Sequence, residues 1–287
     1  LEIGKDGIEK SFNLNLIGKS GQREIEVNSY GRVIREISRQ DSQKGNDIHI
    51  TIDLRIQQYA LNLLKRHKAG SVVLMDINNG NILCMASTPS YNPNKIIQKP
   101  NKDYWDAILD NELSPLTYRC IQGLYAPGST FKMVVAIAGI VHGAINPDTK
   151  HFCSGKIGLG DRLYHCWKNN GHGLMNVSDA IKESCDVFFY EISKKIGIDK
   201  IARVAEDFGL GKIYDIPLPN QKKGIIPSRD WKKKKYDESW YPGETLISAI
   251  GQGFVLTNPL QLAVMTSIIA SNGKNIIPNI IKQKKDI

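Results

Sequence analysis

Hydrophobic and polar positions alternate early in the chain. Glu24-Ile25-Glu26-Val27-Asn28 has a period of two, Ser29-Tyr30-Gly31-Arg32 reads as a turn, and Val33 to Ile37 supplies a partner strand. Gln43-Lys44-Gly45-Asn46 interrupts the pattern as a linker. A second alternation predicts a strand from Ile48 to Ile52. Asp53 has the short carboxylate that caps helices, which predicts a helix from Leu54 to about Lys68. Ser71 to Met75 predicts a buried strand, Asn78-Asn79-Gly80-Asn81 a tight turn, and Ile82 to Ala86 the hairpin partner. From Pro89 to about residue 210 the chain reads as helices and loops. A strand, a helix, an antiparallel hairpin and then helices predict a mixed α/β (α+β) domain with an antiparallel sheet and a helical insertion, not a regular parallel βαβ fold.

Composition changes this picture little. The 287 residues allow one large domain, or one domain and a smaller companion. With 41% apolar and 23% charged residues the chain has an ordinary globular balance, so long disordered stretches are not expected. The 38 basic and 29 acidic side chains leave a charge of +9. Much of the excess is local: Lys222, Lys223, Arg229 and Lys232 to Lys235, then Lys282, Lys284 and Lys285. Such a run reads as a solvated loop. No basic stripe interleaved with aromatics and no zinc-finger spacing is present, so nucleic acid is not an expected partner. The longest apolar run, Met133 to Val141, is far shorter than a membrane span. No signal peptide or initiator Met is present. Five cysteines, an odd number, argue against a fully paired disulfide framework.

The chemistry starts at Tyr125-Ala126-Pro127-Gly128-Ser129-Thr130-Phe131-Lys132. Pro127 and Gly128 do not belong deep in a helix, whereas the apolar run after Lys132 does, so Ser129 falls at a helix N-terminus with Lys132 on the same face. A serine hydroxyl becomes a nucleophile when a base takes its proton, and a lysine kept neutral by burial serves as that base. A second Ser-x-x-Lys, Ser271 to Lys274, lies in a polar turn and reads as coincidence. Serine enzymes of this kind also use a Ser-x-Asn-like element. Of the matches at Ser11, Ser90, Ser184 and Ser228, only Ser184-Cys185-Asp186 reads as a junction between helices downstream of Ser129. There Ser184 is placed to relay a proton, and Asp186 to accept hydrogen bonds from the lysine or the substrate.

Several motifs then occur in a telling order. They are Ser87-Thr88-Pro89-Ser90-Tyr91-Asn92-Pro93-Asn94, the Ser129 segment, Cys166-Trp167-Lys168 with Gly171-His172-Gly173, Ser184-Cys185-Asp186, and Gly251-Gln252-Gly253. Together they resemble the class B penicillin-binding proteins of the elongation type, over residues 24 to 280. The resemblance implies a penicillin-binding/β-lactamase-like transpeptidase domain over residues 48–287, incomplete at its C-terminus. Residues 1–47 would be the end of a β-rich pedestal module of the dimerisation type. It implies a peptidoglycan D,D-transpeptidase in which Ser129, with Lys132, Ser184 and Asp186, forms an acyl-enzyme with stem peptides and with β-lactams. It also implies a membrane anchor upstream, a domain facing the periplasm from the bacterial inner membrane, and as partners a SEDS-type glycosyltransferase and a cell-shape scaffold. No organic cofactor is expected.

Cys153, Cys166, His172 and Cys185, spaced C-x12-C-x5-H-x12-C, form the donor set of a closed structural zinc site. Some relatives by resemblance carry comparable donors. A Cys153–Cys166 disulfide and three unrelated thiols are the alternatives, and His165 is a competing ligand. Cys84 and Cys120 read as core residues. The family's third box, Lys-Thr/Ser-Gly, does not follow Asp186; Lys19-Ser20-Gly21 lies in the wrong module. That box would supply one cleft wall and an oxyanion donor, whose loss costs about 100- to 1000-fold in rate, so inactivity of this chain alone is an open expectation. A β-lactamase, a β-lactam sensor or a non-catalytic cell-wall scaffold are the competing readings.

Overall fold

In the computed structural model, residues 3–97 and 102–282 are described. Lys284 and Lys285 lie outside the described residues. Two short helices, α1 (Gly7–Ser11) and α2 (Asn13–Leu16), precede the antiparallel ribbon β1 (Gln22–Val27) and β2 (Val33–Gln40). Asn28 closes the expected turn, its side-chain oxygen accepting from the N–H groups of Tyr30 and Arg32 at 3.0 Å each. No residue of this ribbon is buried.

Asp53 caps α3 (Leu54–Leu64), its carboxylate accepting from the N–H groups of Arg55 at 2.8 Å and Ile56 at 3.2 Å. The helix stops short of Lys68 because Lys65-Arg66-His67-Lys68 offers no apolar face to bury. β3 (Gly70–Met75) and β4 (Ile82–Thr88) form the expected hairpin. β4 is buried, but in β3 only Met75 is, and Leu74 faces out. The strand expected over Ile48 to Ile52 is reduced to one bridge, Ile50 to Ile281. Residues 279–282 occupy the adjoining place: the Thr51 N–H donates to Ile280 O and the Ile82 N–H to Asn279 O.

Helices α4 (Pro93–Ile97), α5 (Lys102–Leu109) and α6 (Arg119–Gln122) lead to a 3-10 turn, Gly128–Phe131, that runs into α7 (Lys132–Val141). The next stretch departs from the expectation of helices and loops alone. Four strands occur there: β5 (His151–Cys153), β6 (Lys156–Leu159), β7 (Arg162–His165) and β8 (Gly173–Met175), paired β5–β8 and β6–β7. With three or four residues each, they are too short to display a period of two.

The chain then continues as α8 (Val177–Lys182), α9 (Asp186–Ile196), α10 (Ile198–Asp207), α11 (Arg229–Tyr236), α12 (Pro242–Ala249) and α13 (Pro259–Ala270). The larger core gathers Val134 and Val135 of α7, Phe188, Phe189 and Ile192 of α9, Ile201 of α10 and Leu246 of α12. Gly139 lets α7 approach α9; a Cβ there would stand 2.8 Å from Ile192 Cγ2. A second core joins Ile82 and Met85 of β4 to Cys120 and Ile121 of α6 and Leu260, Val264 and Ile268 of α13. The basic run corrects one expectation. Lys232 is not in a solvated loop but buried on α11, bonded to Glu244. Among the described residues no helix is long and apolar enough to cross a membrane.

Candidate active site

Close packing of α7 on α9 brings the start of one helix to the start of the other. Lys132 opens α7, and Ser184-Cys185-Asp186 turns the chain from α8 into α9. The 3-10 turn carrying Ser129 is fixed from the other side, where the Gly128 N–H donates to Gly251 O at 2.9 Å. Gly251 has φ +69, and a Cβ there would overlap the Gly128 backbone, with its nitrogen only 2.8 Å away. Side chains are disfavoured at this φ and would collide as well.

Lys132 is 2% exposed and donates three hydrogen bonds: to Ser184 O at 2.9 Å, Ser184 Oγ at 2.9 Å and Asp186 Oδ1 at 2.6 Å. An ammonium has three N–H groups, so this set is complete. Ser184 Oγ in turn donates to Ser129 Oγ at 2.8 Å. Ser129 is exposed to solvent while the groups behind it are withdrawn. The structure thus brings all four expected residues together, with one change in detail: Lys132 reaches Ser129 through the Ser184 hydroxyl. Ser184 has φ +51, in the left-handed region that serine rarely adopts.

Trp167 belongs to the Cys166-Trp167-Lys168 motif, yet its contacts are not legible in the sequence. Its backbone N–H donates to Asp186 Oδ2 at 3.0 Å, and its indole Nε1 donates to Glu183 O at 3.0 Å and Ser184 O at 3.1 Å. The other short matches separate from this site. Ser271 ends α13 beside an exposed Lys274, and Ser228 caps α11 by accepting from the Trp231 N–H. Cavities of about 260 and 580 Å³ elsewhere are not lined by Ser129, Lys132, Ser184 or Asp186.

Beneath the site, Cys153, Cys166, His172 and Cys185 present donor atoms all within 4.8 Å of one another. Pairing of Cys153 with Gly173 across β5 and β8 sets His172 beside Cys153. His172 Nδ1 lies 3.6 Å from Cys153 Sγ and 3.5 Å from Cys166 Sγ. Zinc bonds of about 2.3 Å to sulfur and ~2.0 Å to nitrogen put tetrahedral S and N donors about 3.5 Å apart, so the donors fit that ion. All five cysteines are free and buried. Burial pushes the Cys185 thiol well up and pulls the His172 imidazole down. His165 is exposed and stands outside the set, and Cys84 and Cys120 lie in the core.

The Penicillin binding protein transpeptidase domain model matches residues 70–286, and the Penicillin-binding Protein dimerisation domain model matches residues 1–50. The chain belongs to the penicillin-binding protein transpeptidase family. Among its relatives, the peptidoglycan D,D-transpeptidase MrdA of Salmonella typhimurium is 37% identical over 97% of this chain and 45% of its own length. Helicobacter pylori PBP2, solved in a complex with MreC, superposes with a TM-score of 0.89 at 34% identity, over 99% of this chain and 53% of that one. Pseudomonas aeruginosa PBP2 in complex with WCK 5153 gives 0.86 at 35% identity, over 98% and 60%. The mixed α/β fold is therefore that of the penicillin-binding transpeptidases, and the chain spans about half the length of the relatives it matches.

Proposed function

We propose that the protein containing this chain is a peptidoglycan D,D-transpeptidase acting through an acyl-serine intermediate. The observation that carries this reading is the unbroken hydrogen-bonded row from Ser129 Oγ through Ser184 Oγ to Lys132 Nζ and Asp186 Oδ1. Hydroxyl hydrogens can turn over. Once Lys132 has given up a proton to solvent, Ser129 donates to Ser184 and Ser184 to Lys132. The Ser129 oxygen then bonds to the carbonyl carbon of a D-Ala-D-Ala stem peptide, and its proton moves along the row to Lys132. Return of that proton to the leaving amine releases terminal D-Ala, leaving an ester on Ser129. An amine of a second stem peptide forms an amide with the acyl carbon, the ester C–O bond breaks, and the proton lost by that amine passes back along the row to the Ser129 oxygen. β-Lactams acylate the same oxygen.

Residues 1–47 serve as the end of a pedestal and 48–287 as the transpeptidase domain. An upstream anchor holds the protein at the inner membrane, with this part in the periplasm. Its partners are a cell-shape scaffold and a SEDS-type glycosyltransferase; the Helicobacter pylori PBP2 is solved in a complex with MreC. Cys153, Cys166, His172 and Cys185 hold a structural zinc ion, which with four protein ligands leaves no position for substrate. Metal analysis is expected to find one zinc per chain, and chelation to lower both melting temperature and acylation rate.

The deciding experiment labels the complete protein with a fluorescent penicillin and locates the adduct by mass spectrometry, with Ser129→Ala alongside. A stable adduct on Ser129, absent from the variant, is expected. Rapid release of hydrolysed drug would assign a β-lactamase instead, and no adduct would leave a non-catalytic scaffold.

A further inference from the structure

We infer that Trp167 is a positioning residue for the acylation machinery, acting through its indole N–H on the Ser184 carbonyl. The inference rests on the transpeptidase reading above.

Ser184 needs something to hold it. Its left-handed backbone, φ +51, carries a strain that a serine would relieve by returning to the ordinary region. That return would swing its carbonyl off Lys132 and its hydroxyl off Ser129. Two donors oppose it. Lys132 Nζ and Trp167 Nε1 both point at the Ser184 carbonyl, at 2.9 and 3.1 Å, and so fill its two lone pairs. The indole N–H also reaches Glu183 O at 3.0 Å, so one donor spans two successive peptide groups and fixes the plane between them. The backbone N–H of Trp167 takes Asp186 Oδ2, the carboxylate oxygen that Lys132 leaves free. Trp167 therefore braces both protein groups to which Lys132 is tied.

The rest of the residue points the same way. Trp167 is 62% exposed, and an indole on the surface can give its N–H to water. Here it is turned inward instead. The ring stands edge-on to His172, 5.2 Å between centroids, which limits its rotation. A brace of this kind acts on the rate of bond formation, because it orders the groups that react.

The test replaces Trp167 in the complete protein with Phe, and separately with 3-benzothienylalanine, which keeps the bicyclic ring and puts sulfur where the N–H was. Stopped-flow labelling with a fluorescent penicillin separates the first-order acylation constant from the dissociation constant of the initial complex. Both variants are expected to acylate about tenfold more slowly, the worth of one hydrogen bond. The dissociation constant should stay within about twofold of wild type, and the melting temperature should hold. Wild-type acylation in the benzothienyl protein would overturn the inference, since only the N–H is missing there. A weaker initial complex with an unchanged acylation constant would also overturn it, making the ring a platform for ligand. If Phe prevents folding, the benzothienyl protein alone decides. A wild-type protein with no adduct on Ser129 would remove the transpeptidase reading and this inference with it, and so is distinguishable from failure of the inference alone.

Discussion

Two lysines in this molecule are equally withdrawn from water, and only one is linked through a hydroxyl to an exposed serine. Lys132 and Lys232 are each 2% exposed, with nearest carboxylate oxygens at 2.6 and 2.5 Å. Each also stands near an aromatic ring, Phe189 at 5.7 Å and Tyr241 at 4.4 Å. Around Lys232 the shell is closed by acids, Glu244 and Glu238. Glu244 also accepts from the Tyr241 N–H, so this lysine pins α11 to the capped start of α12. Around Lys132 one place in the shell is taken by the Ser184 hydroxyl, which leads to the exposed Ser129. Burial and an ion pair satisfy an ammonium in both regions; a hydroxyl in the shell is what gives a proton somewhere to go.

Lys132→Met and Lys232→Met set the two regions against each other with the largest expected effect. Lys132→Met should slow acylation about 1000-fold or more. Lys232→Met should leave it within about threefold, because that lysine touches no reacting group, while lowering the melting temperature. Penicillin labelling time courses taken well below both melting points check this. Equal losses would mean that the α11–α12 clamp governs the site as strongly as the relay does.

An intermediate effect is expected at the other end of α12. Gly251→Ala and Gly253→Ala impose the same strain, since the φ angles are +69 and +67, but only the first drives a Cβ into the Gly128 backbone. At Gly253 the Cβ would meet Ile247 Cγ2 at 3.0 Å, a side-chain end that can give way. Both should lose about 1–2 kcal/mol to backbone strain, measured by denaturant unfolding. Gly251→Ala alone should also cost about 10- to 100-fold in acylation, the scale of a misplaced reacting group. If the two variants acylate alike, the Gly128 contact does not set the position of Ser129.

The smallest effect is a pH dependence. Removal from water pulls the Lys232 pKa down, but the hydrogen bond and charge of Glu244, joined by Glu238, outweigh it and leave the value raised. A raised folded value means the lysine's stabilisation is fully present below the unfolded value near 10.5 and fades as pH rises through the folded one. The melting-temperature gap between wild type and Lys232→Met should therefore be flat across neutral pH and close only above 10.5. A gap that narrows near neutrality would contradict the assignment of that shell.

Parts of this were legible in the sequence because they depend on local rules. Asp53 announces a cap, Asn78 to Asn81 a turn, and Ser129 and Lys132 share a face three residues apart. Ser184 and Asp186 were found by motif order, since nothing local says that a turn 55 positions away will meet Ser129. Lys232 is not legible as a buried residue, because a basic run looks solvated until the fold brings Glu244 to it. β5 to β8 were missed for want of length, and the Ile48–Ile52 strand shrank because its register depends on residues 279–282. Trp167 could be noted as a motif member, but an indole's direction is a property of the folded loop.

The placement of residues 279–282 also bears on how the protein is made. The Thr51 hydroxyl donates to Asn279 O across 228 positions, and the Asn279 side chain donates to Asn81 Oδ1 across 198. At ~5–20 residues per second, a ribosome leaves roughly ten to fifty seconds between the emergence of Thr51 and that of Asn279. The β3–β4 hairpin and the α7–α9 pair can close within that interval, whereas the edge at Ile50 and Ile82 waits with open backbone groups. Biogenesis thus has a vulnerable period set by chain order. A translational stall or a premature stop before Asn279 would leave a largely folded helical region attached to an unfinished and adhesive sheet.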